Sequence, residues 1–492
     1  MTGFCTLFFA FFSYITLALA SYQTILTESM SSSQGVTIQG TSTSAFTGTT
    51  ANVAGDFNGD GIDDFLIADC YKNAETGWVY VIFGRTEGLE DLTVASGLSP
   101  SQGFIIKGAG ATRFGAGVSS VGDVNGDGID DIIVAAVRVG QVYVIYGRRG
   151  EGEDILITSD FASSGQGFLL HSSVIDMFHT TTVNGAGDVN GDGIGDIMIG
   201  MPSDTSSTGI VYVIYGSKDP SSSVIELSTS LDPLQGFWIQ GPGTSSLFGA
   251  QIYPAGDVNG DSIDDIIISA TGTSAGTVYI IYGKSTTRAG FSISSSVDYD
   301  TISGISAGSL FGSPISIAGD INGDGFADMV IGASGESGGT SFAISGSENG
   351  FSGVSVATSA RVSAITTSQS TMSCFQGLGV GDMNGDGLAD VTVRCAPTTS
   401  GSASTTVYVV YGSVEGVSTQ TLPDALDSGS SLGYAISSGD TSNVLTVFGS
   451  GDFNNDYLED LLLLGNPGVM YSTVSIIYGS SKIIEGLKIT CF

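Results

Sequence analysis

Basic residues are scarce in this chain: 14 Lys and Arg stand against 49 Asp and Glu among 492 residues, a formal net charge of −35. Without a basic stripe, nucleic acid and anionic lipid are excluded as partners. Histidine is rarer still. Of the two present, His171 takes the slot that Lys107 and Gln240 hold in related strands, and His179 replaces a repeated glycine, so both read as repeat variants rather than catalysts. Neither lies at a zinc-ligand spacing from cysteine, and no nucleophile elbow or phosphate-binding glycine loop occurs. Apolar runs of spanning length are missing after the first twenty residues, MTGFCTLFFAFFSYITLALA. That segment is interrupted by Ser13, Tyr14 and Thr16 and ends in Ala18-Leu19-Ala20, the small-x-small pattern of a signal peptidase site. Residues 1–20 are expected to be a signal peptide. Residues 21–492 are expected to form one soluble, secreted domain with no lipid anchor and no membrane insertion, acting as a monomer.

Acidic residues are abundant, and they are ordered. Seven times, at spacings of 62 to 70 residues, the chain writes Asp-x-Asn-x-Asp with another Asp four residues on. The phrases are DFNGDGIDD from Asp56, DVNGDGIDD from Asp123, DVNGDGIGD from Asp188, DVNGDSIDD from Asp257, DINGDGFAD from Asp320, DMNGDGLAD from Asp382 and DFNNDYLED from Asp452. Crowded carboxylates repel: at about 4 Å and an effective dielectric of about 20, each pair costs roughly 4 kcal/mol. A hard cation removes that cost, and an oxygen-rich, flexible loop suits calcium better than magnesium.

Positions one, three, five and nine offer side-chain oxygens and position seven a carbonyl. The candidate ligands are therefore Asp56, Asn58, Asp60, Ile62 and Asp64; Asp123, Asn125, Asp127, Ile129 and Asp131; Asp188, Asn190, Asp192, Ile194 and Asp196; and Asp257, Asn259, Asp261, Ile263 and Asp265. In the last three loops they are Asp320, Asn322, Asp324, Phe326 and Asp328; Asp382, Asn384, Asp386, Leu388 and Asp390; and Asp452, Asn454, Asp456, Leu458 and Asp460. Up to seven calcium ions would bring the net charge from −35 to −21. Glycine at position six suits a turn with positive φ. Ser262 and Tyr457 stand there in the fourth and seventh loops, which makes those two the exceptions. The acids at position eight, Asp63, Asp130 and Asp264, are expected to point to solvent.

Strands, not helices, leave these loops, because β-formers follow at once: FLIA after Asp64, IIVAA after Asp131, IIISA after Asp265. An EF-hand instead ends on Glu at position twelve between helices. Phe-Gly or a relative precedes most loops, at Phe46, Phe114-Gly115, Phe178-His179, Phe248-Gly249, Phe311-Gly312 and Phe375-Gln376. A strand such as QVYVIYG at Gln141 follows each, and then an outer strand such as QGFIIKG at Gln102. Each repeat reads as four antiparallel strands, the unit of a β-propeller blade. QGVTIQG at Gln34 is an outer strand ahead of the first loop, with no blade of its own, while the seventh repeat lacks one. Residues 34–40 are expected to complete blade seven and clasp the ring.

Phe-Gly, a Gly-Asp-Val-Asn-Gly-Asp-Gly loop and a strand ending Val330-Ile331-Gly332-Ala333 together resemble the FG-GAP repeat of integrin α-subunit propellers. The resemblance covers nearly all of residues 21–492. It implies an all-β, seven-bladed propeller with calcium loops between the first and second strands of every blade, on one face. It also implies that partners dock on the opposite face, where Tyr71, Lys72, Trp78, Arg113, Arg138, Pro467 and Tyr471 fall. In integrins only some blades carry the loop; here all seven do.

Cys374 and Cys395 should face each other across a hairpin in blade six and form a disulfide. By elimination Cys70 would pair with Cys491, the alternative being free buried thiols. An extracellular protein or glycan ligand, cell adhesion and calcium follow as expectations. A structural surface-coat role, or a hydrolase with an unrecognised site at the central channel, are the alternatives.

Overall fold

The computed structural model describes residues 24–26, 30–39, 50–94, 97–172, 182–203, 207–219, 223–293, 299–336, 338–367, 372–398, 405–417, 419–422, 432–437, 444–466 and 473–481. The signal segment, Phe46, Phe178, His179, Pro467, Tyr471 and Cys491 lie outside them.

Seven small sheets stand in a ring, a seven-bladed β-propeller. Blade one shows the plan. Its strands Thr50–Gly55, Asp64–Asp69, Trp78–Ile82 and Gly103–Lys107 pair antiparallel in order from the inside outwards. The second strand of the blade is buried along its whole length, because a blade inside the ring has a neighbour on each face. Alternation then divides the side chains. Leu66 and Ala68 pack toward blade two with Phe114, Ile132 and Val134, while Phe65 and Ile67 pack toward blade seven with Phe453, Leu462 and Ile476. Each junction between neighbouring blades holds one apolar cluster of this kind, so seven junctions hold seven clusters. The continuous apolar runs of the second and third strands thus reflect two-sided burial.

Two features differ from the sequence reading. Among the described residues six blades carry a fifth strand, parallel to the outer strand and lent by the segment that leads into another blade; Ile155–Leu156 lies beside Ile106 and Lys107 in this way. These additions run only two or three residues, too short to show a period. The second difference concerns blade six, where Cys374 rather than Phe375 takes the ladder place of Phe114. Phe114 pairs with Ala136, five residues beyond the last loop Asp, and Cys374 pairs with Cys395, also five beyond.

The segment before the first blade contributes to the last two. Gly35–Gln39 pairs antiparallel with Thr473–Ile477 as the outer strand of blade seven, and Thr24–Leu26 runs parallel to Ala435–Ser437 of blade six.

Candidate functional site

In every blade the acidic phrase forms the connection between first and second strands, and loop one illustrates how it folds. Asp56 accepts the N–H of Asp60 on Oδ1 at 2.8 Å and that of Gly61 on Oδ2 at 2.9 Å. Asp60 Oδ1 accepts the N–H of Ile62 at 3.0 Å. The buried Asp64 accepts the N–H of Asn58 on Oδ2 at 3.1 Å, and on Oδ1 the N–H of Gly84 at the end of the third strand, at 3.0 Å. The same tie from position nine reaches Gly147, Gly216, Gly283, Gly346, Gly412 and Gly479 in the other blades. The last aspartate of the phrase therefore anchors its loop to the third strand, a structural duty that its place in a ligand pattern did not reveal.

Burial sets the electrostatics of that position. Desolvation pushes Asp64, Asp131, Asp196 and Asp460 up to about 8, against the backbone N–H groups that pull them down. Asp265 and Asp390 rise to about 7 and Asp328 to about 6, for the same reason. An unneutralised negative charge there is costly.

Ser262 and Tyr457 do not disrupt their loops. They adopt φ of 68° and 69°, in the left-handed region that glycine occupies elsewhere, and their N–H groups reach Asp257 Oδ2 at 2.7 Å and Asp452 Oδ2 at 2.9 Å as glycine's do. The position-eight acids, however, do not point to solvent. Asp130 Oδ2 accepts the N–H of Asp56 at 2.9 Å, Asp264 Oδ2 that of Asp188 at 2.8 Å and Asp63 Oδ2 that of Asp452 at 3.1 Å. Each caps the first residue of the preceding blade's loop, since the N–H at that start otherwise has no acceptor. Burial raises the carboxyls of Asp63 and Asp130.

Among the described residues, no group of three or more His, Cys, Asp or Glu side chains converges closely enough to hold a metal ion. The carboxylates of positions one, five and nine accept N–H groups of their own loops and, at position nine, of the third strand. The amide oxygen Asn58 Oδ1, by contrast, is buried and has no hydrogen-bond partner, although Asn58 Nδ2 reaches Asp60 Oδ2 at 3.0 Å. In loops two, four, five, six and seven the equivalent amide oxygen accepts the N–H of position five. An all-oxygen donor set with an orphaned buried amide oxygen fits a hard cation.

Because consecutive strands run antiparallel, the connections between second and third strands lie on the opposite face. There the structure places five of the sequence candidates, and two of them, Arg113 and Arg138, meet on a residue the sequence reading missed, Glu75. Residues Asn73, Ala74 and Glu75 turn through left-handed φ of 51°, 58° and 67° and aim the glutamate at blade two. Arg113 Nε lies 3.2 Å and Arg138 Nη1 2.5 Å from Glu75 Oε2. The Arg113 guanidinium lies 5.0 Å from the Tyr71 ring centre, and the ammonium groups of Lys72 and Lys107 lie 5.5 and 5.4 Å from that of Trp78. Tyr71 is 41% exposed. Glu75 is the only acid between Tyr71 and Trp78, and its partners lie in another blade, so nothing local marks it.

A cavity of about 680 Å³ opens on the loop face, beside loop three, lined by Asn190, Asp192, Tyr215, Asp219 and Asp232 among others. Cys374 and Cys395 are disulfide-bonded; the pairing drawn between Cys70 and Cys491 has its second partner outside the described residues.

The family model "FG-GAP repeat" matches residues 114–145, 248–281 and 311–350, in blades two, four and five. The chain is 30% identical to integrin alpha pat-2 of Caenorhabditis briggsae over 45% of its length and 17% of that protein. It is 28% identical to integrin alpha-5 of Xenopus laevis over 46% of this chain and 20% of that one. It is also 30% identical to a phosphatidylinositol-glycan-specific phospholipase D of Dictyostelium discoideum, over 35% of this chain and 20% of that one. The matches thus span a fifth or less of each of these relatives.

Proposed function

From a chain that carries FG-GAP repeats and resembles the integrin α propeller, we propose a secreted, calcium-binding module that recognises an extracellular protein or glycan on the face away from its loops. The observation that carries the recognition reading is the gathering of Arg113, Arg138 and Tyr71 at Glu75, with the pair Lys72 and Trp78 on the same turn. It concentrates cations and aromatic rings on one face of a chain whose net charge is −35. Arginine and aromatic side chains held in place by neighbours lose little entropy when a partner docks. Among the described residues no helix is long and apolar enough to cross a membrane.

The calcium part rests on the donor chemistry of the loops and on the orphaned oxygen of Asn58. In each blade positions one, three, five and nine, with the carbonyl of position seven, are the residues to hold the ion. Its contribution is neutralisation of the clustered carboxylates. At ten times its dissociation constant each site adds about 1.4 kcal/mol to stability. Calcium titration of the full chain should count at least four ions and raise the melting temperature; fewer than four contradicts a site in every blade. Partner capture should be lost on Tyr71→Ala or Arg138→Ala and in chelator, and capture that survives both removes the recognition reading. The match to the Dictyostelium phospholipase keeps a second reading, and turnover of a phosphatidylinositol-glycan phosphodiester would favour it.

A further inference from the structure

We propose that each blade sets the cation affinity of the loop in the blade before it, and that Arg149 of blade two holds loop one below the affinity its own ligands would give. This rests on the calcium reading above. After the Tyr-Gly that ends the third strand of blade two, Arg148 turns its side chain to the outer edge, onto Phe104 and the Glu153 carbonyl, whereas the next residue, Arg149, lies over position four of the preceding loop. Arg149 Nη1 donates to the carbonyl of Gly59 at 2.8 Å, in the loop whose Asn58 Oδ1 is buried and unpartnered. Lys218 lies the same way over loop two, its Cε 2.6 Å from where a Cβ on Gly126 would stand. Over loop three the corresponding residue is Ser285, which carries no charge.

The same blades contribute at position eight, with the opposite sign. Loop one receives the carboxylate of Asp130 together with Arg149, one charge of each kind. At these two positions loop two receives Gly195 and Lys218, a net positive charge, and loop three receives Asp264 and Ser285, a net negative one, while Lys284 and Arg288 of blade four lie with Val189, the second residue of that loop. The ligand phrases of these three loops are identical at positions one, three and five and nearly so elsewhere. The charges that distinguish loops one and two at these positions come from across the blade junction. A single charge about 8 Å from a divalent ion in a water-like dielectric changes affinity about fivefold. Loop one, with its balanced pair, fills before loop two, so the ring takes up calcium in stages rather than at one set concentration.

Calcium titration of the full chain by calorimetry tests this with Arg149→Met, Lys218→Met and, as control, Arg148→Met. Arg148 removes the same charge from the same tripeptide, but its guanidinium is bonded to the Glu153 carbonyl at 2.7 Å and stacked near Phe104. Arg149→Met and Lys218→Met should each tighten one site about fivefold, and combining Arg149→Met with Asp60→Asn should abolish the gain by removing a ligand of loop one. Arg148→Met should tighten loop one clearly less than Arg149→Met. Isotherms of both variants that match the native one, or an equal gain from Arg148→Met, overturn the proposal while leaving calcium binding in place. A native chain that takes up no calcium overturns the calcium reading and this proposal with it.

Discussion

At the scale of single residues the loops show two departures from comfort. Ser262 and Tyr457 hold positive φ that side chains resist, at a strain of about 1–2 kcal/mol each, while glycine's extra freedom in the unfolded chain takes back about 0.5–1 kcal/mol. Ser262→Gly should therefore stabilise by roughly 0.5–1 kcal/mol, read as a higher urea midpoint with unchanged slope. The buried position-nine aspartates give a pH signature. Their folded pKa lies near 8 in four blades, above the ordinary value of 3.8, so the fold favours the protonated acid. That contribution is full below the unfolded pKa and is lost as pH rises through about 8. In chelator the protein should melt at a higher temperature at pH 6 than at pH 8.5, and Asp64→Asn should flatten the difference. Calcium requires the ionised form, so its uptake near neutral pH should release protons.

At the scale of strands, the sequence is legible where a residue's neighbours lie in its own blade. Paired apolar runs, the loop phrase and the turn glycines all act within a few residues or one hairpin, and they place the four antiparallel strands correctly. Asp130 is different, because its acceptor role involves Asp56, 74 residues earlier and in another blade. Glu75 is hidden for the same reason, and the two-residue strand at Ile155–Leu156 is too short to announce itself. The disulfide was legible as a hairpin pair, but its meaning emerged only with the register. Cys374 stands where Phe114 stands in blade two, so a covalent link takes over from a buried ring worth about 2–3 kcal/mol. Closing a loop of 21 residues, the link should itself be worth about 3 kcal/mol. Replacing both cysteines by alanine should lower the melting temperature, and reducing agent should do so in the native chain but not in the variant.

At the scale of the whole molecule, stability is shared among junctions rather than held in one core. The cluster between blades seven and one is built partly from Val36 and Ile38, contributed by the strand Gly35–Gln39. Deleting residues 21–40 should lower the melting temperature sharply, because it strips the outer strand from Thr473–Ile477 and opens that junction. An unchanged melt would rule out a clasp at this place. The same pairing has a bearing on how the protein is made. Gly35 faces Ile477, so this strand waits for a partner synthesised roughly 440 residues later. At about 5–20 residues per second that wait is roughly 20 to 90 seconds. Throughout it, an apolar strand with an open edge is available to any other nascent copy, and the earlier of the two partners is free until the later one arrives.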